Sequence, residues 1–227
     1  MTMIADNLLR VRSRIAQAAL ACGRTPDSIV LLAVSKKFDA DAVRQAFAAG
    51  QTAFGENYIQ EGVDKIAALA DLPLQWHCIG PIQSNKTRLV AKHFDWVHSI
   101  DRLKTAQRLS EQRPIGKAPL QVCIQVNIDG GSNKSGVAPE AVLELARQTQ
   151  GLAHLHLRGL MTIPEPAVDL DAALAVHQRA RELFDALNAQ GLGLDTLSMG
   201  MTGDLEAAVQ SGSTMLRVGT AIFGKRD

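Results

Sequence analysis

A chain of 227 residues with 46% hydrophobic side chains can bury the core of one sizeable domain, and its length suits a single α/β barrel. Its 24 Lys and Arg against 23 Asp and Glu leave a formal net charge of +1, mixed along the chain, so neither a nucleic-acid-binding nor a membrane-surface stripe is indicated. Three dispersed cysteines, Cys22, Cys78 and Cys123, form no metal-ligand spacing and suit a reducing, cytoplasmic compartment, and no apolar run approaches the roughly 20 residues of a membrane span.

Residues 1–22 carry Arg10, Arg12 and Arg14 with few acids, a composition shared with transit peptides. Ile4, Leu8, Val11 and Ile15 nevertheless recur at helical spacing, which predicts a helix docked by one apolar stripe. "SIVLLAVS" (28–35) reads as a buried strand, and Val43, Ala46 and Phe47 mark a short helix ending at Gly50. "TAFGE" (52–56) is strand-like and precedes a helix with Ile59, Val63 and Ile66 on one face. "QWHCIG" (75–80) is a third strand, with a helix from about Ser84 to Lys92. "FDWVHSID" (94–101) is a fourth, with a helix from about Arg102 to Gln112. "LQVCIQVNI" (120–128) is the clearest strand, and the helix after it opens with Pro139 in a favourable first-turn position. "LHLRGLMTIP" (155–164) is followed by a long amphipathic helix through Ala173, Val176, Ala180, Leu183 and Leu187. "DTLSMG" (195–200) and "TMLRVGTAIFG" (214–224) complete eight strands, with a helix around Leu205 to Gln210 between them.

Strands and helices in regular alternation imply parallel strands joined by right-handed crossovers. Eight such units predict one domain over residues 1–227, a closed (β/α)8 TIM barrel with an extra N-terminal helix. The competing fold is an open doubly wound sheet, which usually places a glycine-rich turn after its first strand. Here that strand ends in Ser-Lys-Lys.

A barrel collects its chemistry at the C-terminal ends of its strands. Those ends carry Lys36, Glu56 and Asn57, Gly80, Ser99 and Asp101, Asn127, Thr162, Ser198 to Thr202, and Arg217 with Gly219 and Thr220. A lysine there becomes a nucleophile toward an aldehyde if desolvation or a cationic neighbour lowers its pKa. Arg217 can supply that neighbour, because closure sets the eighth strand beside the first. Lys37, on the opposite face, is read as a solvated control. "SMGMTGD" and "RVGTAIFG" offer small residues, hydroxyls and free backbone N–H groups where barrels often bind phosphate. Asp204 and Glu206 oppose that reading unless they point away. The six histidines lack any metal motif, and no metal site is expected. Glu56–Asn57 is either a plain strand end or a carboxamide that could bond a ring substituent. Glu165 is read as a turn cap. "IDGGSNKSGV" (128–137) is either a mobile lid bringing Lys134 to an anion or a solvent-facing loop.

Together, "AVSK", "FGENYIQE", "WHCIGPIQSNK", "GLMTIP", "LSMGMTGDLEAA" and "GSTMLRVGTAIFG" resemble the pyridoxal phosphate homeostasis proteins, single-domain relatives of the alanine racemase barrel. The likeness runs from about Ile29 to Gly224. It departs at "SKKF", where the family more often has threonine and then proline after the lysine. The resemblance implies a fold-type III site with pyridoxal 5′-phosphate (PLP) held as an internal aldimine on Lys36. It implies phosphate contacts from Ser198, Thr202, Gly219 and Thr220, with Asn57 near the ring and Arg217 at the pyridine nitrogen. An arginine there donates and stays protonated, so it weakens the cofactor as an electron sink. The implied role is a PLP-binding protein of vitamin B6 and amino-acid homeostasis without catalysis of its own, a monomer in the cytoplasm, with PLP-dependent apo-enzymes as recipients. The alternative is a weak PLP-dependent racemase or lyase. A two-base racemase needs an acid–base group on each face of the substrate, and the related racemases take one from a tyrosine of a further C-terminal domain. This sequence ends at Asp227 and has one tyrosine, Tyr58. A more distant reading is a cofactor-free Schiff-base aldolase.

Overall fold

The protein is described by a computed structural model over residues 2–131 and 135–224. The N-terminal helix α1 (Met3–Ala21) turns Ile4, Leu8, Val11, Ile15 and Ala19 inward. It is a docked element, and burying each of its larger aliphatic side chains contributes roughly 1.5–3 kcal/mol. Thr2 caps it, accepting from Ala5 N. Arg12 Nη1 and Nη2 donate to Ala49 O and Gly50 O, each at 2.9 Å, which satisfies carbonyls at the end of the following helix.

The alternation then runs β1 (Val30–Val34), α2 (Ala40–Ala48), β2 (Ala53–Glu56), α3 (Ile59–Ala68), β3 (Gln75–Cys78), α4 (Thr87–His93), β4 (Trp96–Ile100) and α5 (Leu103–Gln112). It continues with β5 (Leu120–Val126), α6 (Val142–Gln150), β6 (Leu155–Thr162), α7 (Leu170–Ala189), β7 (Thr196–Ser198), α8 (Leu205–Gln210), β8 (Met215–Val218) and α9 (Thr220–Phe223). The strands pair in sequence order, all parallel, and β8 pairs with β1 to close the barrel. The doubly wound alternative is thereby excluded.

Two expectations shift. The helix expected from Ser84 starts at Thr87. The eighth strand does not continue to Gly224: it ends at Val218, and Thr220 opens the short helix α9. A strand pattern and a buried helical turn are alike over four apolar residues. Here Ile222 and Phe223 pack beneath α1, where Asn7 Nδ2 donates to Ile222 O.

Side chains of period two sort into two layers. Leu32, Val34, Ala53, Ile79, Trp96, Cys123, Met161 and Met215 fill the barrel interior, while the larger apolar set lies between strands and helices. Among the described residues no helix is long and apolar enough to cross a membrane.

Candidate functional site

β1 carries Lys36 to the rim. The alternation turns Leu32 and Val34 into the barrel, and in the turn after the strand Lys36 is half-buried whereas Lys37 is exposed. Phe38 N donates to Ser35 O at 3.0 Å, closing a tight turn with Lys36 and Lys37 at its corners. Lys37 has φ 66°, the left-handed conformation usually left to glycine.

This strained turn is clamped from outside the barrel. Lys65, buried on α3, donates from Nζ to Ser35 O, Glu56 Oε1 and Glu61 Oε1, each at 2.7 Å. Ser35 Oγ donates to Glu56 Oε1 at 2.6 Å, and Lys37 N donates to Glu61 Oε1. Three hydrogen bonds therefore grip the residues flanking Lys36. Burial raises the Glu56 pKa, opposed by Lys65 and Ser35.

The same parity brings the other rim residues inward. Leu32 pairs with Arg217 across β1 and β8. Arg217 is buried and donates to Ser198 Oγ and to Thr162 O, both at 2.7 Å. Burial lowers its pKa to about 10, still well above neutrality, so it remains a donor. Asn57 follows β2 with Oδ1 buried and, among the described residues, unpartnered. The Asn57 carbonyl lies where any side chain at position 80 would stand, which accounts for Gly80. Thr162 Oγ1 and Asn127 Oδ1 are likewise buried without a partner. These three unpartnered atoms all lie at the C-terminal rim.

The loop after β7 takes its path from Gly200, at φ 92°, where a side chain would strike Ala208 Cβ. Thr202 is half-buried, Gly219 half-buried and Thr220 exposed. Asp204 and Glu206 are both turned aside. Asp204 accepts from Met201 N at 2.7 Å and faces His177 Nε2 at 2.9 Å, while Glu206 is paired with Arg14 at 2.9 Å. The acids that could repel a phosphate are thus committed elsewhere.

Ser198, also expected as a phosphate contact, is buried at the end of β7. Its hydroxyl is committed inside the barrel, to Arg217 and to His98 Nδ1 at 3.0 Å. His98 Nε2 meets His77 Nδ1 at 2.9 Å, and His77 Nε2 meets Gln75 Oε1 at 3.0 Å. Both histidines are fully buried. Burial pushes His77 down to about 3 and His98 well below its ordinary value, so both are neutral. Sequence reasoning passed over these two residues and the Lys65 clamp. The signals were there: His77 and His98 share inward parity with Ile79 and Trp96, and Glu61–Lys65 is an i,i+4 pair.

Glu165 N donates to Asp129 Oδ2, so that residue braces one loop against another. Lys134 and residues 132–133, at the centre of the loop read as a lid, lie outside the described residues. Among the described residues no group of three His, Cys, Asp or Glu could hold a metal ion. A cleft of about 580 Å³ lies between the loop after β6, α7 and the loop after β7.

Residues 4–227 match the profile of the alanine racemase N-terminal domain. A pyridoxal phosphate homeostasis protein of Pseudomonas aeruginosa is 60% identical over 227 residues, covering 100% of this chain and 97% of the relative. The structure of PipY from Synechococcus elongatus PCC7942 with PLP bound superposes with a TM-score of 0.85 at 38% identity, covering 97% of this chain and 100% of PipY. An alanine racemase of Clostridium difficile 630, at 17% identity and TM-score 0.73, covers 97% of this chain and 57% of its own. That last likeness concerns the fold alone.

Proposed function

We start from the family to which this chain belongs, the pyridoxal phosphate homeostasis proteins, and propose that it stores and releases pyridoxal 5′-phosphate through an imine linkage at Lys36. The observation that carries this reading is the rim itself. A half-buried lysine on a clamped turn stands at a barrel rim that also carries a buried guanidinium and, among the described residues, the unpartnered buried oxygens of Asn57 and Asn127. When bound, the cofactor supplies an aldehyde for amine capture and a ring able to accept electrons.

The chain's own residues decide how much of that chemistry is used. Lys36 Nζ would offer the amine from its half-buried place at the rim. Arg217 would stand at the ring nitrogen as a donor and, being protonated at neutral pH, would hold no proton-accepting capacity there. Asn57 would stand near the ring, and Thr202, Gly219 and Thr220 would supply the phosphate cradle, aided by the backbone N–H groups at the start of α9. Ser198 belongs to the site as the acceptor that orients Arg217.

A ring nitrogen denied a proton stabilises carbanions poorly, which favours a carrier over a racemase or lyase. Tyr58, the one tyrosine, stands at the N-cap of α3 and is 52% exposed. The role that follows is cytoplasmic buffering of vitamin B6 and of its amino-acid adducts by a monomer, with PLP-dependent apo-enzymes as recipients.

Absorbance spectroscopy with added PLP tests this. Lys36→Ala abolishes the visible imine band, whereas Lys37→Ala keeps it. Equal bleaching of both variants overturns the lysine assignment. Sustained turnover of free amino acids by the wild-type protein would favour the racemase or lyase.

A further inference from the structure

We propose that Ser198, His98, His77 and Gln75 form a one-way hydrogen-bond relay through the barrel, which fixes Ser198 Oγ as an acceptor for Arg217 and makes both histidines positioning residues. The inference rests on the reading of Arg217 as the ring-nitrogen contact, and deepens it.

The relay spans the barrel. Arg217 lies toward the C-terminal rim, and Gln75 is the first residue of β3, exposed at the opposite mouth. Between them run four successive hydrogen bonds, of 2.7, 3.0, 2.9 and 3.0 Å. Their direction follows from what each group can do. Arg217 only donates, so Ser198 Oγ accepts from it. Among the described residues Ser198 Oγ has one other partner, His98 Nδ1. If that nitrogen carried a hydrogen, Ser198 would accept twice and its own proton would be buried with no acceptor. Ser198 therefore donates to a bare His98 Nδ1.

The remaining steps are forced. A neutral His98 with a bare Nδ1 carries its hydrogen on Nε2 and donates to His77 Nδ1. His77 in turn carries its hydrogen on Nε2 and donates to Gln75 Oε1. Both rings are neutral because burial depresses them, and Trp96 stacks on His77 at 5.2 Å and 9°, holding its plane. Among the described residues no carboxylate bonds Arg217; its acceptors are the neutral Ser198 Oγ and Thr162 O. Its full charge is left to act at the mouth, in an orientation set by Ser198.

This arrangement places the polarity of the relay under the control of a remote, solvent-facing residue. Gln75→Lys presents only donors, so His77 Nε2 must accept and both rings must change tautomer. Gln75→Glu presents only acceptors and preserves the original direction.

The test is long-range proton–nitrogen NMR of the ring nitrogens in ligand-free protein, paired with PLP titration. Wild type and Gln75→Glu are expected to show the Nε2–H tautomer at His77 and His98, and Gln75→Lys the Nδ1–H tautomer at both. PLP affinity then falls about two- to tenfold in Gln75→Lys alone. Wild-type rings in the Nδ1–H form, or as imidazolium at neutral pH, overturn the relay. A tautomer switch that leaves affinity unchanged overturns the positioning role. Failure of wild type to bind PLP overturns the proposed function while the tautomer result still stands.

Discussion

The two ends of the site are supported by networks of opposite electrostatics. Behind Lys36, outside the staves, Lys65 meets Glu56 and Glu61 in a charged clamp. Beneath Arg217, inside the staves, the partners are a hydroxyl, two neutral imidazoles and an amide. The clamp sits between strand and helix, where a counter-charge one helical turn away can share the desolvation penalty. In the barrel interior, walled by Leu32, Ile79, Met161 and other apolar side chains, no such turn is at hand, and uncharged acceptors carry the load. The same fold thus fixes the turn at Lys36 with ions and the Arg217 guanidinium with dipoles.

The comparison breaks most sharply at Lys65. Lys65→Met strands Glu56 as a buried unpaired charge and is expected to remove about 3–5 kcal/mol of stability. Adding Glu56→Gln should return much of it, as urea melts of the single and double variants would show. His98→Leu is expected to remove about 1–3 kcal/mol, since Ser198 and His77 lose a buried partner. Its pH dependence sharpens the contrast. A histidine held neutral has a folded pKa below its unfolded value of about 6.5. That contribution is complete above about pH 6.5 and is lost as pH falls toward the folded value, about 3 for His77. The His98→Leu deficit should therefore be largest in alkali and shrink in acid, seen in melts at about pH 8 and about pH 5. The smallest effect is expected at Lys37. Lys37→Gly relieves the left-handed strain but adds unfolded-state entropy, for a net gain of about 0.5 kcal/mol. A loss instead would mean that the clamp imposes no strain on the turn.

The barrel was legible because each strand and helix announced its own period, and because Ser-Lys-Lys after β1 argued against a dinucleotide fold. The rim residues followed from strand ends alone. What the sequence hid was partnership across elements. Glu56 read as a plain strand end because Lys65 reaches it from a helix nine residues later. The bond from Ser198 to His98 was invisible because it spans 100 residues. His77 and His98 looked inert because the expected signature of histidine was a metal motif, whereas here two rings meet edge to edge. Thr220 read as strand because four apolar-rich residues do not reveal a period.

Arg14 leaves α1 to donate to Thr202 O at 3.2 Å while gripping Glu206. The amino-terminal helix is therefore the outer buttress of the loop after β7. If that loop holds the phosphate as proposed, anything fused to or trimmed from that terminus would act on the retention of the vitamin without touching a single stave.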